Sequence, residues 1–249
     1  MGGIGWLAGC SRPAKDTQIK AILGGVAINP SGETFSDAVI LVAGSHFHTV
    51  GSEMNVRVPP GSMSWSAKDR YVVPAPVERR AGVLLPRIDT LAAAQAAILR
   101  PPLAVERIPA DADHLPLDLL TRFARADTIV VPRLAWLLNS PLLLDRGIRH
   151  VRALHGSGVR IASFGDRNSL TEWRLLTAAG LTPAQVLESA TRHAARAARV
   201  EDAAGSLHAG YLANLWILKN DPLASTDHLN SVDGIMLEGV WQQNAGVSA

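Results

Sequence analysis

Strand-type sequence at both ends of the chain, with alternating helix and strand between them, is the pattern that most restricts how this polypeptide can fold. Near the start, Lys20–Ile28, Ala38–Val42, Ser45–Val50, Val56–Val58 and Tyr71–Val73 are short apolar runs. Turn formers such as Asn29-Pro30-Ser31-Gly32 and Pro59-Pro60-Gly61 separate them, as in a small β-sandwich. After Gly205 the strands return as Leu212–Leu218 and Gly234–Gln242. The middle is different. Thr90–Leu99, Leu117–Ala126 and Arg146–His155 have helical spacing, and Thr128–Leu134 and Gly158–Phe164 read as buried strands. Two helix starts are marked by capping boxes, Ser169-x-x-Glu172 and Thr182-Pro183-Ala184-Gln185, and Gly180 ends the first of these helices. Alternation of this kind belongs to a parallel α/β layer. The economical arrangement is one sandwich built from both chain ends, 17–75 and 205–243, with an α/β unit, 76–204, inserted in it.

Charge and composition narrow the function. With 24 Lys+Arg against 22 Asp+Glu the formal charge is +2, and no basic run is interleaved with aromatics, so nucleic acid is not an expected partner. No stretch reaches the roughly 18 apolar residues of a membrane span. The single cysteine, Cys10, excludes an intramolecular disulfide and a cysteine-based zinc cluster. Leu7-Ala8-Gly9-Cys10 followed by Ser11-Arg12-Pro13 resembles a bacterial lipobox, in which the cysteine carries the lipid. No Lys or Arg precedes it, so as a lipidation site it requires a start further upstream; the other reading is a stray thiol. Residues 1–16 are thus expected to be a leader or tether. The lipid would hold the protein on a membrane surface in the cell envelope, and without it the protein would be cytoplasmic.

Two histidines one residue apart, His46 and His48 in "GSHFHTVG", can share one face of a strand and offer two imidazoles to a metal. Their context argues otherwise. "AILGGVAINPSGETFSDAVILVAGSHFHTVG" and "SWSAKDRYVVPAPVE" resemble the N-terminal sandwich segment of the amidohydrolase superfamily, in particular its imidazolonepropionase and dipeptidase-like branch. "HGSGVRIASFGDRNS" resembles the last barrel strand, and "GLTPAQVLESATRHAARAARVEDAAGSLHAGYLANLWILKNDPL" the C-terminal helix with its return to the sandwich. "ADHLPLDLLTRFARADTIVVPRLAWLL" more weakly resembles the segment after the sixth-strand histidine. In that frame the histidine pair falls on a sandwich strand.

The resemblance implies a (β/α)₈ barrel beside a small sandwich, hydrolysing C–N bonds of cyclic amides or dipeptides through water activated by divalent metal, commonly zinc. It also implies where the ligands stand. The first-strand His-x-His falls on Arg80 and Gly82, neither of which can ligate a metal. About 30 residues separate that strand from Ala112–His114, too few for four further strands with their helices, since one βαβ unit alone takes about 30. Asp166 occupies the last-strand aspartate, as metal ligand and proton carrier, and His114 is aligned with the sixth-strand histidine. The fold expected is therefore α/β plus β, an incomplete barrel keeping the equivalents of the first and last few strands.

Other residues read more blandly. His150, His155 and His193 are expected on solvated helix faces, His208 and His228 in the sandwich return, and Arg79 and Arg80 as a solvated charge pair. Three functions stay open: a hydrolase with a reduced metal site, a catalytically dead homologue kept for binding or scaffolding, and the truncated product of a decaying gene. The ligand expected is a small amide-type molecule. A homo-oligomer is expected to cover the apolar faces and strand edges of an incomplete barrel.

Overall fold

Gly24 and Gly25 divide the first long apolar run between two sheets. The structure, a computed structural model, describes residues 18–79, 83–166 and 168–244; Cys10, the 1–16 leader, Arg80 and Gly82 lie outside them. Both glycines adopt positive φ, and a Cβ on Gly25 would meet the carbonyl oxygens of Ala67 at 2.2 Å and Arg70 at 2.6 Å. The chain crosses there from β1 (Ile19–Leu23) to β2 (Val26–Ile28). Then come β3 (Thr34–Ser36), β4 (Ala38–Ala43), β5 (His46–Ser52), β6 (Met63–Ser66) and β7 (Tyr71–Pro74). The stretch Val56–Val58, expected as a strand, is irregular.

The middle of the chain contributes α1 (Leu91–Leu99), β8 (Ala104–Glu106), α2 (Leu117–Arg125), β9 (Ile129–Val131), α3 (Pro141–Gly156), β10 (Arg160–Ile161) and α4 (Ser169–Ala178). A continuous helical run follows, α5 (Pro183–Glu188), a π-turn at Ser189–His193 and α6 (Ala194–Ala197). The Thr182–Gln185 capping box opens it in full. Three strands close the chain: β11 (Leu215–Leu218), β12 (Val232–Leu237) and β13 (Val240–Asn244).

One sheet has the order β5-β4-β1-β6, the other β13-β12-β11-β7-β2-β3. In the second, β7 from the first half pairs antiparallel with β11 from the last, Val73 facing Trp216. Ile22, Ile40, Val42 and Phe47 of one sheet pack against Val72, Leu215, Ile217 and Met236 of the other in a single buried core. The outer face of the larger sheet, through Ile28, Val73 and Leu218, joins the core of the helical layer.

The order β10-β9-β8 is wholly parallel. Single parallel bridges extend it on both sides, Glu78 to Gly165 and Arg87 to Glu106, so among the described residues five parallel segments form an arc. Side chains alternate across it as the period of two requires. Val105, Val130 and Ile161 face the helices. Val77, Ile129, Val131, Ala162 and Phe164 face inward, where Ala194, Ala195, Ala197 and Ala198 bury them, with Leu85 packed alongside. This apolar face is covered by alanines of the same chain.

Candidate functional site

At the C-terminal ends of the arc the sequence places a charged residue on nearly every segment. Glu106 ends β8 and is buried; Arg133 follows β9 after Pro132; Asp166 follows β10; Arg79 follows Glu78. They form one chain of alternating charge. Arg79 Nη1 donates to Glu106 Oε1 at 2.8 Å, and Arg133 Nε donates to the same oxygen at 2.9 Å. Arg133 Nη1 donates to Asp166 Oδ2 at 2.6 Å. Arg79 also donates to the Val83 carbonyl through Nε and Nη2, at 3.0 and 2.9 Å. Burial works against the Arg133 charge, but Glu106 and Asp166 outweigh it and hold its pKa above the ordinary value. Its guanidinium therefore stays charged.

The backbone is bent to present these groups. Arg133 has φ +59°, and Arg107, directly after Glu106, has φ +69°. Left-handed conformations cost a non-glycine residue about 1 kcal/mol and gather at functional positions. Arg107 Nη1 pairs with Asp89 Oδ2 at 3.1 Å. Both guanidinium groups lie over the indole of half-exposed Trp136, Arg107 at 4.5 Å and Arg133 at 5.5 Å from the ring centroid.

Asp166 and Glu172 fix the remaining wall. Asp166 N–H donates to Ser169 Oγ at 2.6 Å, that hydroxyl donates to Asp166 O at 2.7 Å, and Asn168 N–H donates to Asp166 Oδ1 at 2.8 Å. The Ser169–Glu172 capping box expected from the sequence is not made. Glu172 reaches across instead, its Oε1 accepting from Leu134 N–H at 3.0 Å and its Oε2 from Ala135 N–H at 2.7 Å. It thereby satisfies the first amides of the 3₁₀ turn Leu134–Leu137. Burial pushes the Glu172 carboxyl up, opposed by those two donors. Ser163, Asp166, Asn168, Glu172, Arg133 and Trp136 line a narrow cleft.

Of the residues singled out in the sequence, Asp166 stands in this cleft and His114 does not. His114 is exposed on the loop from β8 to α2, beside Asp113, whose carboxylate accepts from Arg146 at 2.5 Å. The residues at the end of β8 are Glu106 and Arg107. His46 and His48 point outward from β5 with Phe47 buried between them. His150 is not solvated: it is 2% exposed, its Nδ1 lies 3.0 Å from the Pro109 carbonyl, and burial lowers its pKa. His193 is mostly buried, its Nδ1 2.9 Å from the Ile161 carbonyl. Arg79 belongs to the charge chain and not to a solvated pair. Glu106, Arg107, Arg133 and Trp136 are marked by no sequence motif, and Glu172 is marked only as half of a capping box. The one local signal was a charged residue set in or against a short apolar run, as in "AVERI" and "IVVPRL".

A catalytic zinc takes three protein ligands and an open position. Among the described residues no three His, Cys, Asp or Glu side chains converge in that way. The two carboxylates closest to such a role, Glu106 and Asp166, already share a fixed cation, the Arg133 guanidinium. The donor set does not fit a divalent metal.

The sequence pattern of the amidohydrolase family matches residues 66–241. No curated protein matches the chain. Solved structures do. Molinate hydrolase is 11% identical, with a TM-score of 0.76 over 91% of this chain and 95% of that one. Phenylurea hydrolase B is 12% identical, with a TM-score of 0.74 over 92% and 98%. A prolidase-like protein from Bifidobacterium longum is 15% identical, with a TM-score of 0.69 over 94% and 96%. At these identities the likeness is one of fold.

Proposed function

Because the chain belongs to the amidohydrolase family, a family generally dependent on metal, we propose that it is a non-hydrolytic member whose strand-end cleft binds a small molecule. The bridging of Glu106 and Asp166 by Arg133 carries this reading. Family chemistry needs a Lewis acid to lower the pKa of water and a carboxylate free to take its proton. Here an arginine takes the place of the first, and the second is committed to that arginine. Arg133 cannot serve as a base, since its charge is reinforced from both sides. Arg79, Arg107 and Arg133 can orient a ligand, and Trp136 offers it an apolar face.

Elemental analysis of the purified protein and turnover assays on N-acyl amino acids and dipeptides, with and without added zinc or manganese, test the reading. The expected result is below about 0.1 metal per chain and no turnover above background. Stoichiometric metal lost in Asp166→Ala, or turnover restored by added metal, would overturn it.

A further inference from the structure

Beside the charge chain lies a second cavity, of about 160 Å³, between Arg107, Arg133 and Trp136. We propose that it binds a compact apolar monocarboxylate of about benzoate size, with the carboxylate on the two guanidinium groups. The proposal rests on the binding reading of this end of the arc and names the ligand class.

Three observations converge on it. The first is volume: a closed apolar cavity of about 150 Å³ accommodates benzene, so the space suits one ring or a short branched chain. The second is lining. Ile108, Ala110, Pro132 and Leu137 provide an apolar floor, the indole of Trp136 provides a flat wall, and the one acidic lining residue, Asp89, is paired with Arg107. A mainly apolar pocket with a few convergent polar groups is the usual form of a small-molecule site. The third is the disposition of donors. Arg133 spends Nε and Nη1 on Glu106 and Asp166, and Arg107 spends Nη1 on Asp89. Arg107 Nε is buried and, among the described residues, has no partner. A carboxylate fits because its two oxygens match planar N–H donors, as a halide or an ammonium group does not. Arg107 is held in the left-handed conformation that aims it here by its own N–H, which donates to Val131 O at 2.8 Å.

Benzoate is the probe, with benzamide and benzylamine as ring-matched controls, read by calorimetry and by Trp fluorescence. Saturable binding of benzoate is expected at about 0.1–1 mM. Benzamide should bind at least tenfold more weakly and benzylamine not at all. Arg107→Gln should weaken benzoate at least tenfold, with Arg107→Lys intermediate. Trp136→Phe should retain binding by calorimetry while losing the fluorescence change. No saturation by about 20 mM, equal affinity for benzamide, or an unaltered constant in Arg107→Gln would each overturn the assignment. Benzoate has no bond for the family to hydrolyse, so the result stands apart from the turnover assays. A chelator arm separates the two: binding abolished by chelator means the carboxylate sits on a metal, which defeats both proposals. Binding unchanged by chelator but insensitive to Arg107 defeats this one alone.

Discussion

Replacing Arg133 by Met removes the guanidinium on which the strand-end charges depend while keeping a side chain of similar length. The cost follows from burial. The Glu106 carboxylate is 7% exposed and the Arg133 side chain 13%, so their pair is internal. Breaking a buried pair by removing one partner costs about 3–5 kcal/mol, because the other charge is left desolvated. Arg79 stays on Glu106 Oε1 and places the loss at the lower end of that range. Asp166 is 39% exposed, so losing that contact adds less than about 1 kcal/mol. The indole contact is worth roughly another 0.5 kcal/mol. The total is about 3–4 kcal/mol, with no change in strain at φ +59°, since Met and Arg bear the left-handed conformation alike. Urea unfolding should show a lower midpoint with an unchanged slope. Adding Glu106→Gln should recover part of the loss, because the half-paired carboxylate is then gone while Arg79, 29% exposed, keeps the Val83 carbonyl. A loss below about 1 kcal/mol, or a double variant no better than the single one, would refute the reasoning that these charges hold one another in place.

Glu172→Ala leaves the N–H groups of Leu134 and Ala135 without their acceptor. At about 1–2 kcal/mol for each orphaned donor, a loss of roughly 2–4 kcal/mol is expected in thermal unfolding, and Glu172→Gln should restore about half; a loss under about 0.5 kcal/mol would contradict this. Asp233 on β12 accepts from Arg70 at 2.8 Å and lies 3.4 Å from Lys219 Nζ. Burial alone would raise its pKa, but the two cations outweigh burial and depress it. Its contribution is therefore present above the ordinary carboxylate value of about 3.9 and is lost as the pH falls through the depressed folded value. Asp233→Asn should be less stable than the parent at pH 7 and converge with it in strong acid. A gap that does not change with pH would show the contribution is not electrostatic.

Where sequence and structure agree, the deciding interaction is local. The Thr182–Gln185 box closes within a few residues, and its pattern is readable without knowing anything else in the chain. Ser169-x-x-Glu172 has the same local form and fails, since Glu172 finds better-placed donors in a turn far away in sequence. Glu106 and Arg133 were invisible for a related reason. Each is one charged residue against a short strand, and only the parallel register that sets β8 beside β9 makes them partners. His150 reads as solvated because it stands five residues from His155 and the two face different directions, yet its own face packs under the loop that carries Pro109. The run Lys20–Ile28 was legible as apolar strand, but not as two strands in two sheets, because the break lies in the φ of two glycines and not in hydropathy.

The pairing of β7 with β11 also sets an order of events during synthesis. Residue 73 must wait for residue 216 before its edge is closed, so the larger sheet cannot be completed until nearly the whole chain has left the ribosome. Contacts this distant in sequence are slow to form. Meanwhile the α/β layer between them, whose neighbouring strands are joined through local helices, can assemble first. The early strands meanwhile present unpaired edges to the surroundings. Expression yield should therefore depend on chaperone supply and on temperature, and a product ending before β11 should accumulate in aggregates.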